Sequence, residues 1–243
     1  MKTGNIRILL FLLLTVLLGG CAYSLERDTS CPACVNATSG IATPCPSCWQ
    51  GLVPGQSSEQ DVMDFIEQKL TDKEKGQAMN SVSVRRSCRV FRWLTRQGSL
   101  FDFEDRVREI HVEHGVTSYI MVEMPLFGPT MKDVVGVYGP PEYVLSLLAV
   151  GPDGQHYILE VYYPSSGLAF KLHPSQADIG RITPRTRISA IEYYVPGNTK
   201  NLFVARSACF HSRSEDISPS IEFEASVVRP WTGFGEIEVI LDR

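Results

Sequence analysis

Apolar positions along this chain recur at two spacings, and the switch between them marks the elements. In "PGQSSEQDVMDFIEQKL", Val62, Phe65, Ile66 and Leu70 fall at helical intervals, with charges on the other face. Ser58 stands three residues before Asp61, and Ser57 three before Gln60, so either pair predicts a capped start. Residues 71–83 are polar and read as irregular. Strands are predicted over 88–96 ("CRVFRWLTR"), 99–104 after a Gln97-Gly98 turn, and 107–114 ("VREIHVEH"). A second helix opens at Thr130, three residues before Asp133, and stops at Gly139-Pro140-Pro141. Four more strands follow, over 143–150, 156–164, 168–172 and 187–195. In the tail, "NTKNLFVARSACFH" reads as a short helix capped by Asn198 or Thr199. "SIEFEASV" reads as a strand, and the segment around Trp231 and Phe234 as one closing the sheet.

The order repeats. Ser58-x-x-Asp61-Val62 matches Thr130-x-x-Asp133-Val134, Leu100-Phe101-Asp102-Phe103 matches Leu168-Ala169-Phe170-Lys171, and Val107-x-x-Ile110 matches Ile188-x-x-Ile191. The expected fold class is α+β, with two tandem modules, each a short helix or helical pair on an antiparallel sheet. The first module covers 49–126, and the second 127–243 with a C-terminal strand extension. Ile110 and Ile191 would face the core from the last strand of each module. Glu109 and Glu192 would then point to an opposite, solvated face.

The first twenty residues add an address. Lys2 and Arg7 precede an apolar run, Ile8 to Leu18, which is too short to span a bilayer and has the flanks of a secretory signal. Leu18-Gly19-Gly20-Cys21 resembles the lipobox of bacterial lipoproteins. That resemblance implies a signal peptide over 1–20, lipidation of Cys21 and an extracytoplasmic chain held on a membrane by acyl chains. The membrane is either the outer face of the cytoplasmic membrane or the outer membrane. Residues 21–48, rich in Cys, Pro, Ser and Thr, read as a tether. Cleavage before Cys21 removes two of the 23 Lys and Arg and no acid, leaving 21 cations against 27 acids, or −6. That balance does not suit nucleic acid.

An exported chain makes disulfides the default for the six remaining cysteines, Cys31, Cys34, Cys45, Cys48, Cys88 and Cys209. Their connectivity stays open. The Cys31-x-x-Cys34 and Cys45-x-x-Cys48 pairs also admit zinc binding or thiol–disulfide work, and a thiol–disulfide or metal-handling lipoprotein using them is the alternative function. Neither has its usual context: the spacer is short for a zinc ribbon, and no strand precedes the pairs.

No phosphate loop, dinucleotide fingerprint or Gly-x-Ser-x-Gly elbow occurs. His111 and His114 read as solvated residues at a strand end. No catalytic residue, metal site or cofactor is expected. "GLVPGQSSEQDV", "MKDVVGVYGPPEYV" and "LFDFEDRVREIHV" resemble the BamE-like (SmpA/OmlA) family, the small lipoprotein of the bacterial β-barrel assembly machine. Tandem use of that architecture is similar to the secreted β-lactamase inhibitor protein. Pro46-Ser47-Cys48-Trp49-Gln50-Gly51-Leu52-Val53-Pro54-Gly55 also resembles the start of a set of bacterial lipoproteins. The first helix departs from the BamE-like pattern, since Glu67-Gln68-Lys69-Leu70 stands where a Gly-x-Pro is expected. The resemblance implies a non-enzymatic module that binds a protein partner in the cell envelope.

Overall fold

Ser58 starts the first helix, as its spacing to Asp61 predicts. In the computed structural model, which describes residues 48–80, 88–96, 105–125, 128–151, 154–173, 179–207, 209 and 226–242, helix α1 spans Glu59–Lys69. The Asp61 carboxylate accepts from the Ser58 N–H at 2.6 Å and from its hydroxyl at 2.8 Å. The Asp61 N–H returns to the Ser58 hydroxyl at 3.2 Å. The Ser58 N–H, then its hydroxyl, hold the Asp61 carboxyl below its usual range. Val62, Phe65 and Ile66 form the buried stripe.

Residues 71–83, expected to be irregular, contain helix α2 (Asp72–Asn80). A second capping box starts it. The Thr71 N–H and hydroxyl donate to Glu74 at 3.0 and 2.7 Å, and the Glu74 N–H reaches back to Thr71 at 3.4 Å. Ala78 is its one buried residue, so no apolar stripe announces it.

Strand β1 (Cys88–Arg96) pairs directly with β2 (Asp105–Glu113). The strand expected over 99–104 lies outside the described residues. His114 and Gly115, both at positive φ (52° and 80°), turn β2 into β3 (Val116–Glu123), a strand the sequence reading missed. Positive φ at both central residues is what a tight hairpin turn requires.

Helix α3 (Met131–Tyr138) starts where Asp133 accepts from the Thr130 N–H and hydroxyl at 2.8 and 2.7 Å. It stops at Gly139, at φ 80°. β4 (Tyr143–Gly151), β5 (Gly154–Tyr163) and β6 (Leu168–His173) follow as a meander, then β7 (Arg181–Ile182) and β8 (Arg187–Tyr194). Helix α4 (Thr199–Ser207) begins where Asn198 Oδ1 accepts from the Asn201 N–H at 3.1 Å. β9 (Arg229–Pro230), β10 (Gly235–Glu236) and β11 (Ile240–Asp242) close the chain. Residues 220–225 of the expected "SIEFEASV" strand lie outside the described residues.

These strands build one nine-stranded sheet in the order β1-β2-β3-β8-β6-β5-β4-β11, with β9 also on β4. Every pairing in it is antiparallel except that of β11 with β4. β7 and β10 form a separate ribbon. The halves meet where β3 pairs with β8, with Met121 opposite Glu192.

The same bonds occur on both sides of that seam. Glu59 N–H donates to Gly115 O and Thr117 N–H to Ser57 O; Met131 N–H donates to Thr186 O and Ile188 N–H to Pro129 O. The register slips by one residue at Ser118 between β2 and β3, and likewise at Ser189 between β6 and β8.

One face of the sheet carries the main core. Phe91, Trp93, Ile110, Ile120, Phe170 and Ile191 lie in one cluster with residues of α1, α2 and α3. Trp49, Phe65 and Trp93 stack there at 5.1–6.2 Å between centroids. Ile110 and Ile191 are both buried, but Ile110 is not on the last strand of its half, because the chain adds β3 after β2. The opposite face, expected to be solvated, is covered by α4, with Tyr119, Leu145, Tyr162, Tyr194, Leu202 and Phe203 in a second cluster.

Cys88 and Cys209 form a disulfide with 5.4 Å between Cα atoms, joining β1 to the chain after α4 across 121 residues of sequence. Peptide mass mapping without reduction should recover this cross-link. Cys88→Ser with Cys209→Ser should lower unfolding stability by about 2–5 kcal/mol in urea titrations.

Candidate functional site

The face beneath α4 carries a row of charges across neighbouring strands. Arg92 on β1 is opposite Glu109 on β2, and Glu109 is opposite Met121 on β3. Met121 is opposite Glu192 on β8, and Lys171 on β6 is opposite Glu160 on β5. Period-2 alternation puts Glu109 and His111 on one face of β2. The main core takes the other parity, so these polar side chains lie on the face that α4 partly covers, with Arg92 reaching solvent at its end.

The carboxylates are held in place by the fold's own cations and phenols. Arg206 of α4 reaches Glu160 at 2.8 Å through Nη2 and Glu192 at 3.2 and 3.0 Å through Nε; its Nη2 also bonds Glu192. Lys171 Nζ lies 3.0 Å from Glu192. Tyr119 donates to Glu192 at 2.5 Å, and Tyr162 to Glu160 at 2.6 Å. Glu109 faces Arg92 Nε at 3.2 Å and His111 Nε2 at 2.5 Å. His111 Nδ1 lies 3.3 Å from the Ala205 carbonyl of α4. Both ring nitrogens thus face oxygens, the Glu109 carboxylate on one side and the Ala205 carbonyl on the other.

Burial and charge compete at each group. Burial pushes the Glu192 carboxyl up, but Arg206, then Lys171, outweigh it and hold it down at about 2. Burial likewise opposes ionisation of Glu109, yet the hydrogen bond and charge of His111, with Arg92 and Lys171, bring it below its usual range. The Tyr119 and Tyr162 phenols are pushed well up by burial and by the adjacent Glu192 and Glu160. A cleft of about 360 Å³ opens beside the row, reaching Glu160, Lys171 and Arg206 between Leu145, Leu147 and Ile158. It presents paired charges against an apolar wall.

Sequence reading placed these residues wrongly. His111 is fully buried, while His114 is exposed at the hairpin turn. Glu109 and Glu192 are buried, not solvated. A signal was present: Glu160 in "YILEVYY" and Glu192 in "SAIEYYV" are lone acids in strands apolar on both faces. Such strands are covered on both sides, and an acid there needs a partner. Arg206, the partner, is forty-six residues from Glu160 and carries no local mark.

Of the expected site residues, Cys21, Cys31, Cys34 and Cys45 lie outside the described residues. Cys48 is buried and disulfide-bonded, and Cys88 bonds Cys209. Among the described residues, no group of three His, Cys, Asp or Glu is placed to hold a metal ion.

Fold and site together define an α+β protein on one large, mostly antiparallel sheet, with a helix clamped to its charged face. Compared with known proteins, the chain matches no family model, no curated protein and no solved structure.

Two outcomes test the clamp. Arg206→Met leaves Glu160 and Glu192 buried without their shared cation and should cost about 3–5 kcal/mol in urea titrations. Adding Glu160→Gln and Glu192→Gln should recover part of that loss. The second outcome is pH-dependent. The Glu192 pKa falls from 4.5 to about 2 on folding. Its contribution is therefore complete above pH 4.5 and is lost as pH falls through 2, a change on the order of 3 kcal/mol. Glu192→Gln should flatten stability measured across that window. Glu192→Lys should destabilise strongly.

Proposed function

We propose that the protein is a lipid-anchored, extracytoplasmic interaction module of the bacterial cell envelope, acting through binding and not catalysis. The observation that carries this reading is how the charged row is engaged. General acid–base work needs a group within reach of substrate, with a pKa near the working pH. Here Glu192 is held at about 2, and the two phenols are pushed well up. Groups committed in this way stiffen a platform.

The Cys88–Cys209 bridge suits an oxidising compartment, as an exported chain requires. The anchor at Cys21 rests on the lipobox resemblance. The recurring N-cap bonds and the matched register slips support a tandem origin, with two helix-on-sheet modules over 49–126 and 127–243 joined through β3 and β8.

In the native host, the wild-type protein should incorporate labelled palmitate and sediment with membranes, while Cys21→Ser should do neither. Unchanged labelling of Cys21→Ser would remove the anchor. Crosslinking in intact cells should give a discrete protein adduct, weakened when Cys21→Ser releases the chain from its membrane. Absence of any adduct with the wild type counts against the interaction reading.

A further inference from the structure

Glu160 and Lys171 face each other across β5 and β6, directly before the register slip between β6 and β8. Val90 and His111 hold the matching place across β1 and β2, directly before the slip between β2 and β3. The two places have opposite surroundings. Val90 is buried in a cluster with Cys88 and Cys209, so the chain after α4 closes that spot. Beside it, the Ser118 hydroxyl donates to the His111 carbonyl at 3.4 Å. Over Glu160 and Lys171 the cleft of about 360 Å³ stays open, and Ser189 of the slip lines it.

Bonding capacity is left over on this open side. Glu160 is only 3% exposed. Its Oε2 accepts from Tyr162 and Arg206 at 2.6 and 2.8 Å, while Oε1 has no partner among the described residues. Arg206 bonds through Nε and Nη2, and its Nη1 has no partner among the described residues. Lys171 Nζ carries three donors, and its one ion-pair partner among the described residues is Glu192, at 3.0 Å. Oε1 and Nη1 sit on two groups already joined through Oε2 and Nη2, so an open acceptor and open donors stand side by side. Neither atom is sealed in the interior, and both residues line the cleft. Leu145, Leu147 and Ile158 form its apolar wall.

We infer that this cleft binds a free α-amino acid with an apolar side chain. The ammonium of the ligand donates to Glu160 Oε1. Its carboxylate accepts from Arg206 Nη1 and Lys171, and its side chain lies on the wall of Leu145, Leu147 and Ile158. Charge and size select this class. Lys171 and Arg206 balance Glu160 and Glu192, so a ligand bearing both signs keeps the site neutral. A net cation or anion would leave a charge unmatched in a largely buried place, which is costly. An apolar wall with a few convergent polar groups is the usual make-up of a ligand site, and this volume lies near the small end of the range of about 300–1,000 Å³. The inference goes beyond the interaction reading and needs neither a protein partner nor the anchor.

The probes are L-leucine, L-methionine and L-phenylalanine, titrated by calorimetry into the purified, oxidised protein. At least one should bind at a single site with a Kd below about 1 mM. Three relatives of that amino acid should each bind at least about tenfold more weakly: its amide, which lacks the carboxylate, its N-acetyl derivative, which lacks the ammonium, and glycine, which lacks the side chain. Ile158→Trp, which fills the cleft from its apolar wall, should weaken binding by a similar factor, with circular dichroism confirming that the variant folds. Lys75→Met, on α2, should not change it. The ligand series uses the wild type and so stands even if Ile158→Trp does not fold. A Kd weaker than about 1 mM for all three amino acids would overturn the assignment. So would equal binding of the N-acetyl derivative, unchanged binding by folded Ile158→Trp, or equal binding of the amide, which would mean that the cleft reads an amino terminus and not a free amino acid.

Discussion

Arg206 lies between two buried glutamates, and the placing of the whole second face depends on it. It bonds Glu192 on β8 and Glu160 on β5, so one guanidinium spans three adjacent strands of the sheet. Its planar fork suits such a bridge, where a lysine would supply one point of charge. One residue earlier, the Ala205 carbonyl meets His111 on β2, in the other half. Three residues later, Cys209 is bonded to Cys88 on the edge strand. Leu202, Phe203 and Ala205 bury the apolar side of this nine-residue helix, and the polar ties add direction to that contact. Buried ion pairs add little net stability, because desolvation offsets their attraction. What they give here is one position for α4.

The two faces of the sheet therefore hold their cover by different means. Helices α1, α2 and α3 sit on a continuous apolar core, where fit and area decide. Helix α4 combines apolar contact through Leu202 and Phe203 with charges and phenols that must find partners. A sheet fixed from both sides is a rigid support.

Through the pairing of β3 with β8, the strands before and after α3 form one continuous sheet. The slips at Ser118 and Ser189 bend each inner strand pair in the same way, as extra residues in a ladder do. Beyond that pairing the two sides differ: among the described residues, one side continues to β4, β9 and β11, and the other to β1 with α2 beside it.

Much of this was legible in residue order. Ser58 with Asp61 and Thr130 with Asp133 set both helix starts, because capping bonds are made within four residues. Strands β1, β4, β5, β6 and β8 followed from alternation and from their turn residues. Local signals also failed where chemistry was local but weak: α2 lacks an apolar stripe, and His114-Gly115 does not resemble the usual Asn-Gly turn. Tertiary structure alone decided the rest. A strand's sequence tells which residues share a face, but not what covers that face. Glu109, His111 and Glu192 looked solvated because α4, which buries them, arrives from another part of the chain. The union of two sheets into one was hidden for the same reason. Backbone pairing between β3 and β8 uses groups that every residue carries, so sequence does not mark it.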